Sequence, residues 1–567
     1  MSVNIADKLQ IEQNLHGDDE VNWKSFTNDK NIIYVNDQQN GAYSNQVSWD
    51  LSSVISQNGW LSMQEGYILM PFCTSLVCGT ALTNATVPAN FLSIKDNFVN
   101  FVDSIQFFVN GEQLIDQTTF SNIPIQILDK MTMSVDDLNL KGAGLNIYPD
   151  KATSIRFSAA ATSSGDGYFN NIFYPNPAVT TVSGYDYSRI NDSINQRMLN
   201  TSTTPVAKAN TVAGYPPALS TDVNNFTQTL QPYYSNNGNA VTQGNWNYIV
   251  YLPLKRLSDL FSKYPLIKGS QMRLVLNFNS SSVPVSFTAS GSTMALTANP
   301  TMLAGNTVTP LISNALCSGI TNGGTSALTI ATKIQTTTVA PVANTTAQKG
   351  FASLPQCRIY LPAYKINPNY EEKLLSNRVK TIRYWDLYQQ SITNVSNGAT
   401  FSQVLSTALP NVQCLIMVPF ANTTSGVFAT ATCPQYQSPF DTAPATSLPG
   451  GMLGFQNFNV SVSGVNMFNQ NLNYNVDNWV NEVQKLSLNG GLSRELSSGL
   501  VNLTQWSWSP FVIADLSRRP ESADKTYQSV TVSGTNNTGI SVDYYCFIYF
   551  QKEIEIDCIS GVVKKLF

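Results

Sequence analysis

Apolar residues arrive along this chain in short runs. Gly66-Tyr-Ile-Leu-Met-Pro-Phe, Ser104-Ile-Gln-Phe-Phe-Val, Gln271-Met-Arg-Leu-Val-Leu-Asn-Phe and Val542-Asp-Tyr-Tyr-Cys-Phe-Ile-Tyr-Phe are rich in β-branched and aromatic residues and bounded by Asn, Gly, Ser and Pro. That is the pattern of strands separated by turns. The run from Ile540 to Phe550 is apolar on both faces, which predicts a strand covered on both sides. Past Phe550 it becomes strict alternation, Glu553, Glu555 and Asp557 against Ile554, Ile556 and Cys558. There the strand should leave the two-sided core for a wet edge or a subunit boundary. A few segments carry a helical period instead. Ile123, Ile127, Leu128 and Met131 share one face, with Asn122 as cap and Pro124 in the first turn. Val476, Trp479, Val480, Val483 and Leu486 share another, with Asn475 as cap.

The two halves resemble each other at five places in the same order. Ile33-Tyr34-Val35 matches Ile359-Tyr360-Leu361, and Ser48-Trp49-Asp50-Leu51 matches Tyr384-Trp385-Asp386-Leu387. Ile68-Leu-Met-Pro-Phe72 matches Ile416-Met-Val-Pro-Phe420, and Val109-Asn-Gly111 matches Val462-Ser-Gly464, each of these turns leading to one of the helices. Trp246, Val250, Leu254 and Arg256 match Trp508, Val512, Leu516 and Arg518 at constant spacing. Collinear matches imply a duplicated unit, with Trp49 equivalent to Trp385 and Trp246 to Trp508. The first half spends far more chain between Gly111 and Trp246, and the excess at 160–240, rich in Asn, Ser, Thr and Pro, reads as a loop insertion. From Asn279 to Gln348 the only charge is Lys333, yet Val283-Pro-Val-Ser-Phe and Ala327-Leu-Thr-Ile-Ala-Thr-Lys-Ile are strand-like, so this linker should be partly ordered against a partner.

Composition narrows the function classes. The 567 residues are too many for one ordinary core. Charged residues are only 12% of the chain, against 43% hydrophobic and 11% aromatic. A neutral, aromatic-rich surface suits a chain packed against copies of itself. The net charge is -4, and the first twenty residues carry Asp7, Glu12, Asp18, Asp19 and Glu20 against Lys8 alone. Direct coating of nucleic acid calls for clustered cations; the nearest approach is Lys564-Lys565, read as a solvated end. Cys73, Cys78, Cys317, Cys357, Cys414, Cys433, Cys546 and Cys558 are scattered, without zinc spacing, several of them in apolar runs. They read as reduced core residues. The start of the chain lacks a signal-peptide pattern, and no apolar stretch is long enough for a membrane-spanning helix.

Candidate chemistry is sparse. His16 is the one histidine, in a polar segment, so a Ser-His-Asp triad would have to route through it and no paired-histidine metal motif can exist. Lys268-Gly269-Ser270 lacks the upstream glycines of a phosphate loop. Gly450-Gly-Met-Leu-Gly follows a proline and reads as a turn. Asp18-Asp19-Glu20 reads as a solvated acidic patch, and Tyr233-Tyr234 as packing against a neighbour. The expectation is a protein that is not an enzyme, with no catalytic, cofactor-binding or metal-binding residues and no cofactors.

One segment has a wider likeness. Tyr248-Ile-Val-Tyr-Leu-Pro-Leu-Lys-Arg-Leu-Ser-Asp-Leu-Phe-Ser-Lys-Tyr-Pro-Leu-Ile-Lys-Gly-Ser-Gln-Met-Arg-Leu-Val-Leu runs strand, short helix, strand. It resembles the close of the first barrel in double-jelly-roll major capsid proteins of the virophage and polinton-like virus group. Ser438-Pro-Phe-Asp, Phe458-Asn-Val-Ser-Val-Ser-Gly and Asp515-Leu-Ser-Arg-Arg-Pro are similar to that group's second barrel. The likeness spans about 31–557, by pattern more than by invariant motif. It implies a mainly β chain of two tandem antiparallel jelly-roll barrels with short helices and long loops. It also implies pseudo-hexameric homotrimers in an icosahedral virion shell, assembled inside the host cell. Neighbouring capsomers, penton and minor capsid proteins would be the partners, with no sequence-specific nucleic acid. Whether a membrane lines the shell is left open. The expected divisions are an arm at 1–30, a first jelly roll at 31–280 including the 160–240 insertion, a neutral linker at 281–355, and a second jelly roll with its tail at 356–567. Two other classes stay open: a single-jelly-roll capsid protein of a small DNA virus, and a carbohydrate-binding surface β protein.

Overall fold

The computed structural model describes most of residues 27–147, 242–279 and 356–566, with strands at 160–161, 235–236, 281–290, 293–298, 311–313 and 325–334; the larger segments outside the description are 1–26, 79–89, 148–159, 162–234, 299–310, 314–324, 335–355, 422–453, 489–498 and 518–525. The first unit opens with β1 (Thr27–Asn36), β2 (Gln46–Asp50), the turn α1 (Ser52–Ile55), β3 (Trp60–Leu61), β4 (Tyr67–Cys78), β5 (Asn90–Leu92), β6 (Val102–Val109) and β7 (Glu112–Ile115). Next come α2 (Asn122–Thr132), α3 (Val135–Leu145), β8 (Ala160–Ala161), β9 (Ser235–Asn236), β10 (Thr242–Pro253), α4 (Leu254–Leu257), α5 (Asp259–Lys263) and β11 (Met272–Phe278). β12 (Ser281–Ser290), β13 (Thr293–Ala298), β14 (Leu311–Ser313), β15 (Thr325–Ile334) and β16 (Arg358–Ile366) complete it. After α6 (Pro368–Ser376) the second unit runs β17 (Val379–Val395), β18 (Thr400–Pro410), β19 (Val412–Ala421), β20 (Phe455–Val462), β21 (Val465–Asn466), α7 (Val476–Leu488), β22 (Val512–Asp515), β23 (Tyr527–Asn536), β24 (Val542–Asp557) and β25 (Val563–Lys565).

Strand order reveals the repeat. In the second unit β17-β24-β19-β22 form one sheet and β18-β23-β20-β21 the other. Counted in chain order, that is first-eighth-third-sixth facing second-seventh-fourth-fifth. The first unit distributes its strands identically, β1-β16-β4-β10 against β2-β11-β6-β7. Eight antiparallel strands in this order make a jelly roll, and the chain holds two, which removes the single-jelly-roll alternative. Among the described residues no sheet closes on itself, and each unit is a pair of open antiparallel sheets.

The repeat corrects the expected boundaries. β16 pairs with β1 from Asn36↔Arg358 to Thr27↔Ile366, and with β4 through Ile359↔Ile68. Residues 358–366, assigned to the second unit, are therefore the last strand of the first, and residues 27–30, assigned to the arm, begin β1. Alternation alone cannot say which of two neighbouring sandwiches takes a strand. Two of the five matches fail for the same reason. Ile33-Tyr34-Val35 and Ile359-Tyr360-Leu361 are partners in one sheet (Tyr34↔Tyr360), not equivalents. Trp49 lies on the second strand of its unit and Trp385 on the first strand of the other. The other three fall on equivalent elements: β4 with β19, β10 with β22, and the turns before the helices. Asn110 and Gly111 (φ 47° and 85°) and Ser463 and Gly464 (φ 50° and 82°) take successive left-handed conformations, the hairpin geometry that matches strand twist. Trp508 and Arg518 lie outside the described residues, as does all of the 160–240 insertion except β8 and β9.

Local details follow the same physics. α7 is capped as expected, Asn475 and Asn478 exchanging backbone-to-side-chain hydrogen bonds of 3.0 and 3.1 Å. α2 is not: its cap is Ser121, and Asn122 donates instead to Asn100 Oδ1 at 2.8 Å. The neutral linker adds β15 along β4 (Leu328↔Cys78 to Ile334↔Phe72), then β12 and β13, and β8 of the insertion pairs with β13 at the end of the row. Its partner is the first unit's own sheet.

Candidate assembly surface

Several residues singled out for chemistry, namely His16, Asp18, Asp19, Glu20, Tyr233, Tyr234 and Gly450, lie outside the described residues. Lys268-Gly269-Ser270 is a packing turn. Gly269 has φ 79°, and a Cβ there would sit 2.7 Å from the Ile559 carbonyl oxygen. Lys564 and Lys565 are exposed and face Glu555 and Glu112 at 3.7 and 3.0 Å. Among the described residues no cluster of three or more His, Cys, Asp or Glu could hold a metal, and no helix is long and apolar enough to cross a membrane. Cys357, Cys414, Cys546 and Cys558 are free and buried, and burial raises each thiol's pKa.

Two surfaces stand out: a seam between the sandwiches and an uncovered sheet. On β24, Tyr544 turns inward against Phe455, ring centroids 4.7 Å apart, so Tyr545, Phe547 and Tyr549 face out of the second sandwich. The first unit covers them. Phe120 meets Tyr545 edge-on at 5.2 Å, and Ile123, Ile127 and Met131 of α2 join the second core. In exchange, Ile382 and Tyr384 of β17 and Ile554 and Ile556 of β24 enter the first core. The alternation after Phe550 therefore marks a boundary between the two units of one chain. Tyr384 donates to the Leu114 carbonyl at 2.5 Å, Thr118 to the Leu387 carbonyl at 2.7 Å, and the Trp385 amide to Asp259 at 3.1 Å. Lys552 sits 2.5 Å from both Asp386 and Asp116. Burial lowers its pKa, but the two carboxylates outweigh that and the net shift is upward.

The equivalent face of the first sandwich has no such cover among the described residues. Ile68, Met70, Ile359, Leu361, Val250 and Leu252 fill the core, so the alternate positions point outward. There Tyr34, Tyr360, Tyr67 and Tyr251 form a row across β1, β16, β4 and β10, with successive ring centroids 5.9, 5.0 and 5.1 Å apart. Arg358 lies over Tyr34 at 4.6 Å, and Ile32 and Tyr34 are 60% and 52% exposed. Glu65, beside the row, is held below the usual carboxylate range by hydrogen bonds from Lys30 and Tyr364. The elements of the second unit that correspond to the covering ones also show apolar surface: Val465 is 63% and Val480 40% exposed. Sequence reading missed the tyrosine row. Its trace was present in Ile33-Tyr34-Val35 and Ile359-Tyr360-Leu361, where an aromatic occupies the outward phase of an alternating strand.

No protein-family model and no curated protein matches the chain. Among solved structures it is similar to the Sputnik virophage determined by cryo-EM, at 9% identity and a TM-score of 0.47 over 95% of this chain and 88% of that one. It is similar to the Faustovirus major capsid protein at 10% identity and a TM-score of 0.41, covering 97% and 94%. With the mavirus major capsid protein the identity is 8% and the TM-score 0.38, covering 94% and 89%.

Proposed function

We propose that the chain is the major capsid subunit of an icosahedral DNA virus, and that copies join head to tail into a closed ring of three. The observation that carries this is the unequal treatment of two equivalent faces. The outer face of the β17-β24-β19-β22 sheet is sealed by the first unit's α2 region. Among the described residues nothing packs over the same face of the β1-β16-β4-β10 sheet, which carries the tyrosine row, and the exposed Val465 and Val480 mark the second unit's α7 region as the equivalent cover. A neighbouring copy supplies what each end lacks. Such a heterologous contact repeats until a ring closes, giving a six-lobed particle from three two-lobed chains. The low charge of the chain suits permanent packing against like subunits. Penton and minor capsid proteins would meet the outer rim of the ring, and the chain would act in the virion shell without catalysis.

Sedimentation of the purified chain at micromolar concentration, with negative-stain images, tests this reading. The native chain should sediment as a trimer with a six-sided outline. The double substitution Tyr67→Asp and Tyr360→Asp should leave the far-ultraviolet circular dichroism unchanged and yield monomers. A native monomer, or a variant that assembles like the native chain, overturns the proposal.

A further inference from the structure

The seam between the sandwiches holds a cavity of about 100 Å³ that is open to solvent on one side. Ile125 and Leu128 of α2, Leu257 of α4, Trp385 and Leu387 of β17 and Tyr549 of β24 give it mostly apolar walls contributed by both units. Arg256 also lines it. This side chain is 7% exposed and its terminal nitrogen pairs with Asp129, but its Nε–H meets no acceptor among the described residues. A buried donor without an acceptor costs free energy that an oxygen placed in the cavity would offset. The charge around the site argues against an anion. Among the described residues its lining carries Asp116, Asp259 and Asp386 against Arg256, with Lys552 and Lys263 paired to those carboxylates.

We propose that this cavity is a binding site for a small neutral amphiphile, a compact apolar body with one carbonyl or hydroxyl oxygen that accepts from Arg256 Nε. An enclosed apolar cavity of ~150 Å³ admits benzene; this smaller one opens to solvent on one side, so a single six-membered ring can seat in it with part of its surface exposed. The occupant touches both sandwiches and so tightens the seam. The inference does not depend on the capsid reading, since it concerns a join within one chain.

The test uses the full chain with cyclohexanone as probe, cyclohexane as the shape match without an acceptor, and cyclohexanecarboxylate as the anion. Binding is read by calorimetry, and seam protection by hydrogen exchange in peptides covering β17 and β24. Cyclohexanone should bind saturably, slow exchange in those peptides, and bind about ten-fold more tightly than either comparator. Leu128→Trp should fill the space and abolish binding. Arg256→Lys keeps the charge but removes the Nε–H, and it should erase the preference for cyclohexanone over cyclohexane. Should Leu128→Trp fail to fold, Arg256→Lys decides alone. Non-saturable binding, equal affinity for the ketone and the hydrocarbon, or an unchanged preference in Arg256→Lys overturns the proposal.

Discussion

Replacing Lys552 by Met would break the ion pair at the centre of the seam. The lysine side chain is 17% exposed and that of Asp386 only 4%, whereas that of Asp116 is 54% exposed. The direct contact with Asp116 is therefore screened by solvent and contributes little. Asp386 is the partner that matters, because without Lys552 it is a buried carboxylate that, among the described residues, keeps a hydrogen bond from the Leu387 amide at 2.9 Å. Removing one member of a buried pair costs about 3–5 kcal/mol, while replacing both by apolar groups is often neutral. Unfolding of so long a chain need not be two-state, so hydrogen exchange of β17 and β24 peptides is the appropriate readout. Protection there should fall by roughly two to three and a half orders of magnitude in Lys552→Met. Most of it should return when Asp386→Leu is added. The pH dependence has a definite sign. The pKa of Lys552 is raised above its ordinary 10.5. Its contribution is therefore complete below the unfolded value and is lost as pH climbs through the folded one. Seam protection should drop at alkaline pH in the native chain and much less in the double variant. A loss under about 1 kcal/mol in Lys552→Met, the range of exposed pairs, would refute the view that this pair fastens the units.

Two further outcomes are expected. Gly499 has φ 53°, and a Cβ there would lie 2.3 Å from the Lys130 carbonyl oxygen, which accepts from the Leu500 amide at 2.8 Å. Gly499→Ala should therefore destabilise the seam by clearly more than Gly111→Ala, which has nothing within 4 Å and bears only the left-handed backbone cost of about 1–2 kcal/mol; equal midpoints in urea would contradict this. Cys357, Cys414, Cys546 and Cys558 should resist a neutral thiol reagent in the folded chain and react once it is denatured, as peptide mapping would reveal; modification of all four within minutes under native conditions would count against the described packing.

Much of the fold was readable from periodicity. The two-sided strand Val542–Phe550, the change to alternation after it, both amphipathic helices and the strand-like linker are features of single segments, and local pattern carries them. Pairing is not local. Arg358–Ile366 alternates as a strand of either sandwich would, and its similarity to Thr27–Asn36 arises because neighbours in one sheet share the same inside-outside phase. Trp49 and Trp385 are both buried beside an aspartate, a likeness of environment with no equivalence of strand. The tyrosine row was illegible because Tyr34, Tyr67, Tyr251 and Tyr360 are brought together only by the sheet. Lys552, Asp386 and Asp116 lie far apart in the chain, so the bond between the units left no motif.

The place of β16 also bears on how the chain is made. It sits between β1 and β4, yet Arg358 meets Asn36 across 322 residues. A ribosome releasing the chain from its amino end delivers β1 and β4 early and the strand between them very late. At ~5–20 residues per second the wait is on the order of 15 to 60 s. Throughout it the nascent sheet has a slot one strand wide, with the unpaired backbone edges of β1 and β4 facing each other. Long-range pairing of this kind is slow and prone to aggregation. The amino-terminal sandwich is therefore no independent nascent domain: it cannot close before residue 366 emerges, and by then the first strand of the second sandwich is close behind.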